Sequence, residues 1–177
     1  MNYENYILII FSLVLLSCKT NTPIVQYVKS NENKDTLLIL NDKIRSEILI
    51  TNLKYKLNKD SINNIVSPLK EHYSSIIIKN KIIDNNIKWK KSDFNQFKYV
   101  ILIESNNSFQ EINDLIKKKQ RIFYSFSKPY YSKDNDIVSF YVSKSNGWSN
   151  IFFGLITMRK NKNEWEIIET IESTELN

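Results

Sequence analysis

Scarcity is the first thing the sequence shows: 177 residues carry one cysteine, one histidine, three prolines and two glycines, and no alanine. A lone thiol at Cys18 has no partner for a disulfide, and His72 alone cannot join it in a Cys/His zinc set. No metal and no cofactor are therefore expected. With only Gly147 and Gly154, the chain has no glycine-rich loop to cradle phosphates and no Gly-x-Ser-x-Gly elbow to present a nucleophile. A hydrolase would have to be built on His72, which is otherwise expected to be an ordinary exposed or half-buried histidine. Arginine is scarce too, at Arg45, Arg121 and Arg159, so the net charge of +6 comes almost wholly from lysine. Arginine is the residue suited to bidentate phosphate contacts, and its scarcity argues against a nucleic-acid partner. A lysine-rich surface can still meet acidic headgroups or acidic envelope polymers. Asp134 and Asp136 are the nearest approach to paired carboxylates. Turn chemistry accounts for both, and the longer ligand series of a calcium loop is missing.

What is present begins at the N-terminus. Residues 6–16, Tyr-Ile-Leu-Ile-Ile-Phe-Ser-Leu-Val-Leu-Leu, form a largely apolar run. Its length suits the apolar region of a secretory signal, roughly 7–15 residues, and falls short of the roughly 20 that span a bilayer. Leu15-Leu16-Ser17-Cys18 follows, and it resembles the lipobox of bacterial lipoprotein signal peptides. The resemblance implies cleavage before Cys18 and acylation of its thiol, with a membrane anchor of two or more acyl chains. In lipoproteins of the Bacteroidota an acidic run behind the cysteine goes with display outside the cell; none follows Cys18, so the resemblance implies a protein facing the periplasm.

The remaining residues suffice for one domain. We expect a signal over 1–17, an acylated cysteine and flexible tether over 18–35, and a single α+β domain over 36–177. The expected architecture is two or three helices packed on an antiparallel sheet of about five or six strands. Leu37, Leu40, Ile44 and Ile48 recur at helical spacing. Asp60-Ser61 reads as a helix start, with Ile62, Ile65, Val66 and Leu69 on one face and Pro68 as a kink. The β-branched stretch 75–83 reads as strand, and Tyr99-Val-Ile-Leu-Ile103 as a central strand covered on both faces. Ser108-Phe-Gln-Glu111 is a capping box for a further helix.

The last third alternates as a β-meander. Ile122, Tyr124 and Phe126 form one stripe, Val138, Phe140 and Val142 the next, Ile151, Phe153 and Leu155 a third, and Trp165 with Ile167 a fourth. Gly154 is expected at a close approach or a bulge. Turns fall at Lys133-Asp-Asn-Asp136 and Lys160-Asn-Lys-Asn163, and Glu164, Glu166 and Glu169 read as the solvated side of the last strand.

Within this region Ser127-Lys-Pro-Tyr-Tyr131, the Lys133-Asp134 turn, the strands that follow and Trp165 resemble the C-terminal parts of small uncharacterised lipoproteins of the Bacteroidota. The resemblance covers about a third of the chain. It implies a fold and an envelope location, and it carries no activity. Relatives often have a Gly- and Cys-rich hairpin where this chain has Ser143-Lys-Ser-Asn-Gly-Trp-Ser-Asn150.

One further stretch, Trp89-Lys-Lys-Ser-Asp-Phe-Asn-Gln-Phe-Lys-Tyr99, interleaves rings with cations. With Tyr130, Tyr131 and Trp148 it offers rings that either bind a partner or close the edges of the core. The expectation is a lipid-anchored envelope protein, not an enzyme, that binds a partner protein or an envelope polymer. An immunity-type protein that neutralises a periplasmic toxin is the alternative, and a hydrolase using His72 a more distant one.

Overall fold

The computed structural model describes residues 22–32, 36–42, 67–79, 88–104, 122–146 and 149–172, with isolated positions at 44, 47, 50, 51, 53, 54, 110 and 114. Cys18, Trp148 and the capping box at Ser108 lie outside them, although Gln110 and Asp114 are helical.

The first described element, α1 (Pro23–Asn31), occupies half of the stretch expected to be a tether. Thr22 caps it by accepting a hydrogen bond from Val25 N, and Pro23 takes the first turn, where no amide hydrogen is needed. Ile24, Val25, Tyr27 and Val28 are buried, so this helix belongs to the core. The stretch is mostly polar, but Ile24, Val25, Tyr27 and Val28 fall on one helical face, which is why it packs instead of forming a tether.

Seven strands form one sheet: β1 (Thr36–Leu40), β2 (Tyr99–Ile103), β3 (Phe123–Phe126), β4 (Tyr130–Tyr131), β5 (Ile137–Ser145), β6 (Asn150–Asn161) and β7 (Glu164–Glu172). Their order is β2-β1-β3-β5-β6-β7, with β4 beside β5. The pairs β1–β2 and β1–β3 are parallel, and the pairs from β3 onward are antiparallel. The expected α+β domain of helices on an antiparallel sheet is therefore overturned: the sheet is mixed and dominates the domain. Among the described residues two α-helices accompany it, α1 and α2 (Ser67–Lys79).

Three stretches differ from the local pattern of their sequence. Leu37 and Leu40, expected on a helix, lie in β1, whose buried middle Leu37 to Ile39 is flanked on both sides by parallel strands; a short apolar run has no period of its own. The β-branched residues Ile76 and Ile77 lie in α2, where packing against the sheet overrides their strand propensity. Strand β2 was expected at the centre and lies at an edge. Apolar side chains report which faces are covered, and they are silent on whether the main chain has a neighbour.

The C-terminal meander matches most of the stripes read from sequence, while Ile151 and Ile167, expected on covered faces, are exposed. Tyr124, Phe126, Val138, Phe140 and Val142 face α1 together with Trp165, and Phe126 lies edge-on to Phe140 at 6.2 Å. On the opposite face Ile137, Tyr141 and Leu155 pack against Leu69, Tyr73 and Ile76 of α2. The two turns form as expected, with Asn135 and Lys162 at positive φ. A Cβ on Gly154 would lie 2.5 Å from the Ile171 carbonyl oxygen, so the close approach foreseen there is real.

The Ser127-Lys128-Pro129 segment has a structural role. It separates β3 from β4, both paired with β5. Ser127 N donates to Tyr141 O at 3.0 Å, and Ser127 Oγ accepts from Tyr141 N at 2.8 Å. The hydroxyl thus replaces a missing main-chain acceptor at the break, and Pro129 occupies a position with no ladder bond to give.

Candidate functional site

Two places in the fold gather polar chemistry. The first lies under α2. Register places Ser139 of β5 opposite Thr157 of β6, and Thr157 opposite Glu169 of β7. Their side chains line up across three strands on one face of the sheet. Two neighbours on α2 reach down to this row. His72 Nε2 lies 3.0 Å from Ser139 Oγ, Ser139 Oγ 2.9 Å from Thr157 Oγ1, and Thr157 Oγ1 2.8 Å from the Tyr73 hydroxyl. Tyr73 in turn donates to the Glu169 carboxylate.

That last bond fixes the direction of the others. Each hydroxyl has one proton to give. Tyr73 gives its proton to Glu169, so Thr157 donates to Tyr73, Ser139 to Thr157, and His72 Nε2–H to Ser139. Burial, reinforced by the bond to Glu169, pushes the Tyr73 hydroxyl well above the ordinary tyrosine range and keeps it a donor. His72, Ser139 and Thr157 are buried, at 4%, 0% and 0% exposure.

A β-bulge assembles the row. By plain alternation Glu169 would share the face of Trp165 and Ile167. The register of β6 with β7 shifts between Thr157 and Met158, leaving Ile168 as the extra residue. Glu169 is thereby carried to the α2 face. The solvated side expected for all three glutamates holds for Glu164 and Glu166, which are exposed, while Glu169 is half-buried against Tyr73.

The second place is a cleft of about 660 Å³ at the first half of β2, lined by Lys91, Asn95, Phe97, Lys98, Tyr99, Val100 and Ile101 together with Thr36 of β1. Its wall is a short 3-10 turn, η1 (Lys91–Phe94), held by the Asp93 carboxylate, which accepts from Lys90 N at 2.8 Å. Phe94 and Phe97 are buried and fasten this wall to the core. Tyr99 is 55% exposed, with Lys98 Nζ 5.3 Å from its ring centre. Lys29 of α1 donates to Gln96 Oε1 and lies over the Phe97 ring.

The aromatic-basic stretch thus divides. Trp89 is core: it is buried, packs on Phe94 at 5.2 Å, and its indole N–H donates to Phe126 O. The far end of the stretch, from Lys91 to Tyr99, builds the cleft. Tyr130 is half-buried against the α2-side core, and Tyr131 stands edge-on to Trp165 at 6.0 Å. Neither lines this cleft. Ser139 and Thr157 were missed because nothing in a strand marks a hydroxyl that will meet a helix distant in sequence.

Among the described residues no group of three His, Cys, Asp or Glu side chains could hold a metal ion, and no helix is long and apolar enough to cross a membrane. Comparison with protein-family models, curated proteins and solved structures gave no match.

Proposed function

We propose that this chain is a bacterial envelope lipoprotein, anchored through acylated Cys18 and facing the periplasm, whose domain binds a partner protein or an envelope polymer and catalyses no reaction. The observation that carries the reading is the cleft, where Lys91, Lys98 and Tyr99 converge at an edge of the sheet. The buried row supports the non-enzymatic half. A Ser–His nucleophile requires the histidine nitrogen to accept the serine proton. The order of donors that starts from the Tyr73–Glu169 bond leaves His72 Nε2 as donor to Ser139 across 3.0 Å, and Ser139 is fully buried.

Helix α1 gives the anchor a mechanical consequence. Five residue steps separate Cys18 from Pro23, a reach of about 17 Å when fully extended. An acylated Cys18 would hold the domain against the bilayer instead of on a long leash.

Two experiments test the reading. Metabolic labelling with a palmitate analogue should mark the protein and fail on Cys18→Ser; equal labelling of both ends the lipoprotein assignment. Pull-down from detergent-solubilised envelope should return a reproducible partner that the Lys91→Glu/Lys98→Glu variant loses. No partner and no glycan binding would defeat the binding reading. The hydrolase alternative has one observation in its favour, the 3.0 Å His72–Ser139 contact. It requires that a fluorophosphonate probe label Ser139.

A further inference from the structure

Resting on the cleft as the binding site, we infer that its ligand is an extended, acidic polypeptide segment that adds to the sheet as a strand beside β2. The argument begins with the main chain. Asn41 N donates to Ile103 O at 2.8 Å, so the polar groups of Ile103 point towards β1. Direction alternates along a strand, and the β1–β2 register is continuous from Tyr99 to Ile103. Tyr99 and Ile101 therefore also turn to β1, while Val100 and Leu102 direct their N–H and C=O groups outward. Among the described residues β2 pairs with β1 alone.

An open edge of this kind is a template for strand addition, and proteins commonly blunt it with charge. Here the charge stands to one side. Lys91 and Lys98 line the cleft with Tyr99, Val100 and Ile101 of β2 and Thr36 of β1, and among the described residues no acidic side chain lines it with them. Val100 and Leu102 turn their side chains to the α1-side core, so the edge is presented by a fixed strand. Cations beside a row of alternating donors and acceptors fit a carboxylate-bearing peptide. A polysaccharide offers negative charge but no alternating amide and carbonyl to complete the ladder. Tyr99 adds an exposed ring for a side chain of the incoming strand.

The test uses the full chain in detergent and three fluorescein-labelled hexapeptides. The first is Asp-Thr-Val-Thr-Val-Asp, the second is the same peptide N-methylated at alternate residues, and the third has Lys in place of both Asp. Anisotropy should show binding of the first, weakened by added salt. N-methylation and the Lys ends should each weaken it about tenfold, through lost main-chain bonds and reversed charge. Lys98→Glu, an exposed change that spares the core, should weaken the first peptide and strengthen the third. Equal binding of the N-methylated peptide would overturn strand addition. Binding of polygalacturonate without the first peptide would overturn the peptide as ligand while leaving a binding protein in place. Failure of all probes to bind would also overturn the inference, and the envelope pull-down would then decide the broader reading separately.

Discussion

Replacing Thr157 by Val removes one oxygen from the middle of the buried row and changes almost nothing else. The two side chains have nearly the same shape, so β6 keeps its packing between β5 and β7. What goes is the hydroxyl that stands 2.9 Å from Ser139 Oγ and 2.8 Å from the Tyr73 hydroxyl. Ser139 is fully buried and loses the acceptor of its proton. Tyr73 keeps Glu169 and loses only the donor to its oxygen. One stranded buried hydroxyl costs about 1–3 kcal/mol, against about 1 kcal/mol for a bond lost where water can substitute. We expect urea denaturation to show a loss of about 2 kcal/mol with an unchanged m-value. Thr170→Val, at an exposed position of the next strand, should stay within about 0.5 kcal/mol. The chain also predicts coupling. Tyr73→Phe should destabilise the wild type by more than it destabilises Thr157→Val, because the shared bond is already gone. Nitrogen NMR of His72 should find the proton on Nε2. A loss below about 0.5 kcal/mol for Thr157→Val, or a His72 bare at Nε2, would refute the ordered row.

Gly154→Ala should destabilise by about 1–3 kcal/mol, although alanine is ordinarily the better strand residue, because its Cβ would meet the Ile171 carbonyl and Phe152; an unchanged denaturation midpoint would show that β7 yields freely. Trp89→Ala should cost about 3–5 kcal/mol in the same assay if Trp89 is core, and little if it is a surface ring. Burial, with the nearby Glu32 carboxylate, raises the Tyr27 pKa to about 12, and Tyr73 and Tyr124 shift the same way. These groups favour folding while protonated, so their contribution is complete below pH ~10, the unfolded tyrosine value, and is lost as pH climbs through the folded values. Thermal unfolding followed against pH should fall steeply above about 10, and a flat profile to pH ~12 would contradict the burial of these hydroxyls.

The sequence by itself determined the parts that depend on neighbours along the chain. Alternation of Val138, Phe140 and Val142 specifies a strand and one of its covered faces, whatever lies on it; that Ile137 and Tyr141 cover the other against α2 was not legible in it. Asn135 and Lys162 fall in turns whose residue types announce them, and Gly154 marks a place where two backbones draw close. The same sequence carried the lipobox resemblance at Cys18. Tertiary structure decided what depends on distant partners. Whether Leu37 to Ile39 became helix or strand rested on the parallel neighbours flanking β1. Whether Tyr99 to Ile103 lay at the centre or the edge rested on strand order, which side chains do not encode locally. Glu169 reached Tyr73 only because a bulge at Ile168 reversed its face. The cleft exists because η1 folds back beside β2, turning a stretch of rings and lysines into a buried wall and a charged opening. Side-chain period is a local property and can be read from the chain; pairing order, edges and the meeting of His72 with Ser139 are contacts across the fold, and only the assembled sheet supplies them.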